Sequence, residues 1–305
     1  MDMDMVRLGV ELSELVYPGC DLPFPLEKIM TLGGGAYLNP FFVASKDTEN
    51  LYIAIRGAAE PNDFMLCADF EREDFAGGKA HKGILKGARW IISNLRNYID
   101  SCKGKILCCG HSLGGATAGM ICAILTLEEK RSNVFSVSLA PFPILSANLA
   151  NQLANNSVSF VFRNDLVPRL SAHNLSLLIH SFIPPGMNAQ QVGLMIQPML
   201  QQIFTGILAT NNFTTFPTNP VDQTQISNVI NTLINIADNA STIEEFELPG
   251  KSYYLDFDAD GLPLCKPYTD AQKAVNFLTI FTSITDHSGT FYEDTIYGID
   301  ELESN

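Results

Sequence analysis

The stretch ILCCGHSLGGATAGM, residues 106–120, decides the fold of this chain. The apolar residues before Gly110 predict a strand buried on both faces, and the small residues after Gly114 predict a helix. Between them stands Ser112, in a Gly-X-Ser-X-Gly pattern that gains its meaning from this strand-to-helix context. Side chains at positions 110 and 114 would clash with the neighbouring strand and helix in so tight a turn. We therefore expect the Ser112 hydroxyl to be exposed at the edge of a sheet.

Strands and helices alternate along the rest of the chain. The predicted strands are Leu51–Ile55, Lys105–Cys109, Val134–Ala140, Ser157–Phe162, Lys251–Phe257 and Leu262–Cys265, and the predicted helices are Gly83–Ile99, Gly115–Glu129 and Ala271–Phe281. This alternation predicts an α/β fold with a mostly parallel, doubly wound sheet, whose reactive groups lie at the carboxyl ends of the strands.

The acidic stretch Asp256–Gly261 has two interpretations. It matches the opening of a calcium-binding loop, but the twelfth position, which should be Glu, is Pro267. The flanking strands favour a hairpin turn instead, and we predict no metal site.

A long segment without charge interrupts the strand and helix pattern. No Lys, Arg, Asp or Glu occurs from Ser171 to Val221. Apolar residues recur at helical spacing in 198–209 and 225–237, which predicts two amphipathic helices. We expect residues of about 171–245 to form a helical cap inserted into a single domain that spans residues 1–305.

Composition and charge restrict the partners. The chain has 305 residues and a formal net charge of -14, which argues against binding of nucleic acid or of anionic lipid. The N-terminus does not have the pattern of a signal peptide, and seven cysteines do not suit a disulfide framework. Four Asn-X-Ser/Thr triplets point towards secretion, but an Asn-rich chain produces them by chance. We expect a cytoplasmic protein, with peripheral membrane contact as an open alternative.

A nucleophilic serine needs partners, because its hydroxyl is a weak nucleophile at neutral pH. It requires a histidine base that a carboxylate orients, and in α/β hydrolases the order along the chain is Ser, acid, His. Asp165 directly follows the predicted strand Ser157–Phe162 and is the candidate acid, although an Asp there could also only cap the turn. His287 follows near the C-terminus and is the candidate base.

The other four histidines are weaker candidates for the base. His81 precedes Ser112, and His111 adjoins it in the turn and cannot easily fold back onto the same hydroxyl. His173 and His180 lie in or beside the uncharged insertion.

Taken together, these residues resemble the fungal-type, or class 3, lipases, and among them the sn-1 diacylglycerol lipases. The resemblance covers residues 35–298 apart from the cap, and it rests on Arg56-Gly57, Ala80–Ile84, Gly110–Gly115, Ala140–Pro143, Asn164–Arg169, and Asp286-His287 with Tyr292 following. It implies an α/β-hydrolase fold in which Ser112, Asp165 and His287 form a catalytic triad that requires no cofactor.

One position departs from the family pattern. The family usually has Thr or Ser after Arg-Gly, where this chain has Ala58. The oxyanion hole would then consist of the backbone amides of Ala58 and Leu113, without a side-chain hydroxyl. Loss of one such donor costs about 3 kcal/mol in other enzymes, so we expect lower activity than in relatives. The stretch Ala59–Ala68 matches the place of the family's short lid.

The resemblance implies a serine hydrolase that cleaves esters of neutral lipids, such as mono- or diacylglycerols. A phospholipase A1 or a soluble carboxylesterase is the alternative among enzymes, and a non-catalytic lipase-fold interaction protein is the alternative of another class. The scarcity of basic residues favours a neutral glyceride as substrate. The apolar face of the cap would either make transient contact with a membrane or lipid-droplet interface or pack on the hydrolase core.

Overall fold

The structure is a computed structural model that describes residues 1–17, 26–33, 39–58, 71–171, 173–174, 176–177, 191, 245–273, 285–300 and 302. Its strands are β1 (Glu27–Leu32), β2 (Phe42–Lys46), β3 (Leu51–Ile55), β4 (Arg72–Phe75), β5 (Gly78–His81), β6 (Ile106–His111), β7 (Val134–Leu139), β8 (Leu145–Ser146), β9 (Ser157–Phe162), β10 (Phe246–Glu247), β11 (Lys251–Phe257) and β12 (Pro263–Pro267). Its helices are α1 (Met3–Leu15), α2 (Lys82–Ser101), α3 (Leu113–Ala123), α4 (Ala147–Gln152), α5 (Asp270–Lys273) and α6 (Gly289–Tyr297).

The main sheet has the strand order β1-β2-β3-β6-β7-β9-β11-β12. Its five central strands, from β3 to β11, pair in parallel, whereas β1, β2 and β12 are antiparallel to their neighbours. Every residue of β3, β6 and β9 is buried, as expected for parallel strands that are covered on both faces. The predicted α/β-hydrolase architecture is therefore present.

Two hydrophobic cores lie on opposite faces of this sheet. On one face α2 and α3 pack against the strands, with Ile84, Ile91 and Leu95 of α2 fully buried. On the other face lie α1 and α6, with Val6 and Val10 of α1 buried beside Tyr292. Burial of these side chains from water supplies most of the driving force for this layered arrangement.

A second, smaller sheet has the order β10-β8-β5-β4. Its strand β4 begins just after the predicted lid, and β10 begins at the end of the predicted cap. The two predicted cap helices lie outside the described residues, and of the insertion only residues 171, 173–174, 176–177, 191 and 245 are described. There the backbone amide of His173 donates a hydrogen bond to the Glu245 carboxylate at 2.8 Å, so the two ends are joined.

The structure modifies several sequence predictions in detail. The helix predicted at 115–129 begins at Leu113 and ends at Ala123, and a single π-helical turn, Ile124–Glu128, follows it. The helix predicted at 271–281 is described only as Asp270–Lys273. The hairpin between β11 and β12 is confirmed, with Phe257 paired to Pro263.

Strand β6 carries two adjacent cysteines. Cys108 and Cys109 lie within β6 as free, buried thiols. Over the described part of the chain, every helix is too short or too polar to cross a lipid bilayer.

Candidate active site

Ser112 occupies a strained turn between β6 and α3. Its φ of 57° and ψ of -123° lie in a region that L-residues rarely adopt, and its amide donates a hydrogen bond to the Leu139 carbonyl at 2.8 Å. The bond to β7 fixes the turn against the sheet. Such a conformation pushes the side chain out of the line of the strand and towards the carboxyl edge of the sheet.

The glycines around Ser112 are required by close packing. A Cβ on Gly110 would lie 2.5 Å from the carbonyl carbon of Gly114 and 2.5 Å from the carbonyl oxygen of Ile55. A Cβ on Gly114 would lie 2.8 Å from the Ile55 carbonyl carbon. These contacts confirm the steric reason predicted for both glycines.

The structure brings Ser112, His287 and Asp165 together from three separate parts of the chain. His287 Nε2 lies 3.0 Å from Ser112 Oγ, and His287 Nδ1 lies 2.9 Å from Asp165 Oδ2 and 3.0 Å from Oδ1. Asp165 and His287 are fully buried, and Ser112 is buried as well, with 5% of its surface exposed, so the prediction of an exposed Ser112 hydroxyl is wrong. This geometry allows the imidazole to accept the serine proton while the carboxylate holds its other nitrogen. The catalytic roles themselves stay a prediction.

A tyrosine completes the hydrogen-bonding of the acid. The Tyr292 hydroxyl donates to Asp165 Oδ2 at 2.5 Å and accepts from the Phe162 amide at 2.9 Å. Burial beside the Asp165 carboxylate raises the pKa of Tyr292 well above its ordinary value, so the phenol stays protonated and remains a donor. The Val167 amide also donates to Asp165, at 2.9 Å. Asp165 thus does more than cap its turn.

Arg169 holds the loop that carries Asp165. This buried guanidinium donates to three backbone carbonyls, those of Arg163 at 2.6 Å, Asp165 at 2.5 Å and Gln272 at 2.6 Å. Arg163 has a positive φ of 38°, an unusual conformation that the surrounding contacts stabilise. The rigid, forked geometry of arginine suits this multiple contact.

The loop of the histidine is fastened to the loop of the acid. Asp286 accepts a hydrogen bond from the Asn164 amide at 3.0 Å. Burial raises the pKa of Asp286, and the Asp165 carboxylate nearby adds to the increase, while the bond from Asn164 opposes it. Since Asn164 precedes Asp165 and Asp286 precedes His287, this bond fixes the acid and the base relative to each other.

His111 packs against the candidate base instead of competing with it. The two imidazole rings have centroids 4.6 Å apart and are tilted by 42°. His111 is buried, and its Nε2 has no hydrogen-bond partner among the described residues. Burial together with the neighbouring His287 holds the pKa of His111 well below its ordinary value. His111 is therefore a neutral residue that limits rotation of the His287 ring.

Of the remaining three histidines, His81 and His173 are described. His81 is fully buried and caps α2, where its Nδ1 accepts a hydrogen bond from the Ile84 amide at 3.4 Å. His173 lies at the start of the insertion, and His180 lies outside the described residues.

The two candidate oxyanion residues flank Ser112. Leu113 is the first residue of α3, where backbone amides point out of the helix end. Ala58 follows the end of β3, and a Cβ on the preceding Gly57 would lie 3.5 Å from Ser112 Cβ. Ala58 and Leu113 are both buried. The segment that carries Ala58 therefore passes directly beside the nucleophile, and the predicted lid after it lies outside the described residues.

Two residues that shape this site had no role in the sequence predictions. Tyr292 and Arg169 belong to the quoted family motifs, but no chemistry was assigned to them. Tyr292 could have been selected from the sequence because it lies five residues after His287, on the helix that follows this histidine. Spacing gives no comparable signal for Arg169, because its partners lie up to 103 residues away.

Comparison with known proteins agrees with the family resemblance. The lipase (class 3) family model matches residues 52–175. Mouse diacylglycerol lipase-beta is 28% identical over 153 residues, which cover 46% of this chain and 23% of that protein. A lipase of Rhizomucor miehei is 28% identical over 167 residues, which cover 50% of this chain and 46% of that protein. The match thus spans less than half the length of either relative.

A solved crystal structure has a fold similar to that of this chain. The crystal structure of a lipase from Rhizopus microsporus var. chinensis aligns with a TM-score of 0.55 and 16% identity, over 94% of this chain and 88% of that one. At this identity the likeness concerns the fold, and it confirms the predicted α/β-hydrolase fold.

Proposed function

We propose that this chain, whose residues 52–175 match the class 3 lipases, is a serine hydrolase that cleaves carboxylic esters of neutral lipids. The observation that carries the proposal is the continuous hydrogen-bonded array of Ser112, His287 and Asp165 at the carboxyl edge of a parallel sheet. Acyl transfer is the chemistry that this array performs in proteins of unrelated folds.

The first half of the reaction forms an acyl-enzyme. His287 Nε2 takes the proton of Ser112 as Oγ attacks the ester carbonyl carbon. The negative charge moves to the former carbonyl oxygen, which the amides of Leu113 and Ala58 stabilise. When the tetrahedral intermediate collapses, the bond to the alkoxy group breaks, and the leaving alcohol takes the proton from His287.

The second half regenerates the enzyme. A water molecule gives a proton to His287 Nε2 and attacks the acyl carbon, and a second tetrahedral intermediate releases the carboxylic acid as Ser112 regains its proton. Throughout, Asp165 accepts the hydrogen bond from His287 Nδ1 and stabilises the imidazolium that forms twice in each cycle.

Charge and the uncharged insertion support a neutral lipid as substrate. The net charge of -14 disfavours anionic phospholipids, and the stretch from Ser171 to Val221 offers apolar residues for an acyl chain or a lipid interface. The mouse relative is a diacylglycerol lipase by name, which makes diacylglycerol the first substrate to test. A cytoplasmic protein that binds membrane or lipid-droplet surfaces transiently fits these features.

A substrate panel tests this function. Purified wild type and Ser112→Ala are assayed with diacylglycerol, triacylglycerol, phosphatidylcholine and a soluble short-chain ester, below and above the concentration at which each lipid aggregates. We expect glyceride hydrolysis that Ser112→Ala abolishes. Preference for phosphatidylcholine would support the phospholipase A1 alternative. Activity on the soluble ester alone would support the carboxylesterase alternative, and the absence of hydrolysis of any ester would support the interaction protein.

The interfacial role of the cap has its own test. By helical spacing Phe204 and Ile207 lie on the apolar face of the predicted cap helix, whereas Gln202 and Thr205 lie opposite. Replacing Phe204 and Ile207 with Asp should reduce hydrolysis of emulsified long-chain lipid more than hydrolysis of a soluble short-chain ester. Replacing Gln202 and Thr205 with Asp is the matched control. Equal losses on both substrates would contradict the interfacial role.

A further inference from the structure

The residues just after the N-terminal helix reach the candidate active site, although α1 lies outside the segment that matches the family. Tyr17 is the second residue after α1, and its amide donates to the Glu14 carbonyl at 3.4 Å. The helix is fixed tightly on the sheet, because a Cβ on Gly9 would lie 2.7 Å from Val137 Cβ. Tyr17 therefore extends from a rigid element.

The Tyr17 hydroxyl contacts the segment that leads to Ala58. The Arg56 amide continues the hydrogen bonding of the sheet, because it donates to the Phe41 carbonyl at 2.9 Å. The next amide, that of Gly57, lies beyond the end of β3 and donates instead to the Tyr17 hydroxyl at 3.3 Å. A side chain just after α1 thus continues the support that Phe41, just before β2, provides one residue earlier.

This contact lies next to the nucleophile. A Cβ on Gly57 would be 2.9 Å from the Tyr17 hydroxyl oxygen, 3.0 Å from the His111 carbonyl oxygen and 3.5 Å from Ser112 Cβ. Gly57 is therefore enclosed between the phenol and the turn that carries Ser112. Any movement of Gly57 would displace the amide of Ala58, which belongs to the following peptide.

We propose that Tyr17 is a positioning residue for the oxyanion hole, which it serves by fixing the backbone at Gly57. This inference rests on the proposed ester hydrolysis. Since position 58 carries no hydroxyl, the hole depends on two backbone amides, and the loss of one oxyanion donor costs about 10²–10³ in kcat in other enzymes. The placement of the Ala58 backbone therefore matters more here than in a relative with Thr or Ser at this position.

The substitution Tyr17→Phe tests the proposal, because it keeps the ring and removes the hydroxyl. Tyr98→Phe, at a partly exposed tyrosine on α2, is the matched control. With a soluble short-chain ester we expect kcat of Tyr17→Phe to fall about tenfold with little change in KM, the size of one weakened hydrogen bond in the transition state. Titration of active sites with a fluorophosphonate normalises each rate to the folded fraction.

A transition-state analogue separates positioning from general stability. A boronic acid inhibitor forms a tetrahedral adduct with Ser112 and places an oxygen in the oxyanion hole. Its affinity should fall by the same factor as kcat, and Ala58→Ser in the Tyr17→Phe background should restore part of both.

Three outcomes would overturn the role of Tyr17. They are a loss in kcat below about threefold, a loss confined to KM, and a boronate affinity equal to that of the wild type. Absence of any ester hydrolysis by the wild type would instead overturn the proposed function, so the two failures are distinguishable.

Discussion

Replacing Tyr292 with Phe tests how the buried acid is held. The substitution removes one oxygen atom and keeps the ring in its place against Phe162 and His111. The lost hydroxyl is the donor to Asp165 at 2.5 Å and the acceptor for the Phe162 amide at 2.9 Å. Both interactions are fully buried, so water cannot replace the missing partner.

The expected magnitude follows from these two bonds. A buried amide without its partner costs about 1–3 kcal/mol, and a hydrogen bond to a charged group contributes about 1.5–3 kcal/mol. Because one hydroxyl serves both groups, we expect the free energy of unfolding of Tyr292→Phe to fall by about 2–4 kcal/mol. Asp165 keeps its bonds to His287 and Val167, so we expect kcat to fall only about tenfold at nearly constant KM.

Thermal unfolding and steady-state kinetics measure the two effects. For a chain of 305 residues, with an unfolding entropy of about 2.1 cal/mol/K per residue, the loss corresponds to a Tm lower by roughly 3–6 °C. Tyr297→Phe on the same helix is the control, since Tyr297 is 44% exposed, whereas Tyr292 is fully buried. If Tyr292→Phe retained the Tm and kcat of Tyr297→Phe, the account of how Asp165 is held would be wrong.

Three further substitutions test other parts of the account. Burial, with the charge of Glu293 as a second cause, raises the pKa of Glu14 from 4.5 to about 7, so the folded protein loses stability as pH rises through this range. Glu14→Gln should therefore raise the Tm at pH 8 and leave it unchanged at pH 4. Equal Tm shifts at both pH values would argue against the burial of this charge. Gly114→Ala places a Cβ against the Ile55 carbonyl, so circular dichroism should show a lower Tm, and the folded fraction should have a kcat at least about tenfold lower. A Tm and a kcat equal to those of the wild type would refute the steric role of this glycine. Arg169→Lys keeps the positive charge but removes the planar guanidinium that donates to three backbone carbonyls, so we expect a Tm lower by several degrees. An unchanged Tm would show that these hydrogen bonds are not needed for stability.

The sequence was sufficient for the centre of the sheet and for the turn at Ser112. Parallel strands such as β6 and β9 are buried on both faces and so appear as continuous apolar runs, and the glycines at 110 and 114 have a steric cause that can be inferred without coordinates. Asp165 could be selected because it directly follows a strand, which places it at the carboxyl edge of the sheet.

The N-terminal helix was missed for a physical reason. Gly9 lies in the middle of α1, where glycine disfavours a helix by about 1 kcal/mol relative to alanine. The structure shows the compensation, because only a glycine permits the close approach of α1 to Val137. A sequence signal was nevertheless present, since Asp2 caps the helix and accepts a hydrogen bond from the Met5 amide at 2.8 Å.

The supporting contacts of the site could not be predicted from spacing. Tyr292 and Asp165 are 127 residues apart, and Tyr17 and Gly57 are 40 residues apart. Their meeting depends on how α1 and α6 pack on the same face of the sheet, which local periodicity does not specify. Residue patterns therefore predicted the reacting groups, while the groups that position them required the structure.

The central claim is that Ser112 is an activated nucleophile. Labelling with a fluorophosphonate probe, which reacts covalently with activated serines, tests it most directly when wild type and Ser112→Ala are compared at equal folded concentration. We predict that the wild type is labelled at Ser112 and that Ser112→Ala is not labelled. Absence of labelling in the wild type, or equal labelling of both proteins, would contradict it.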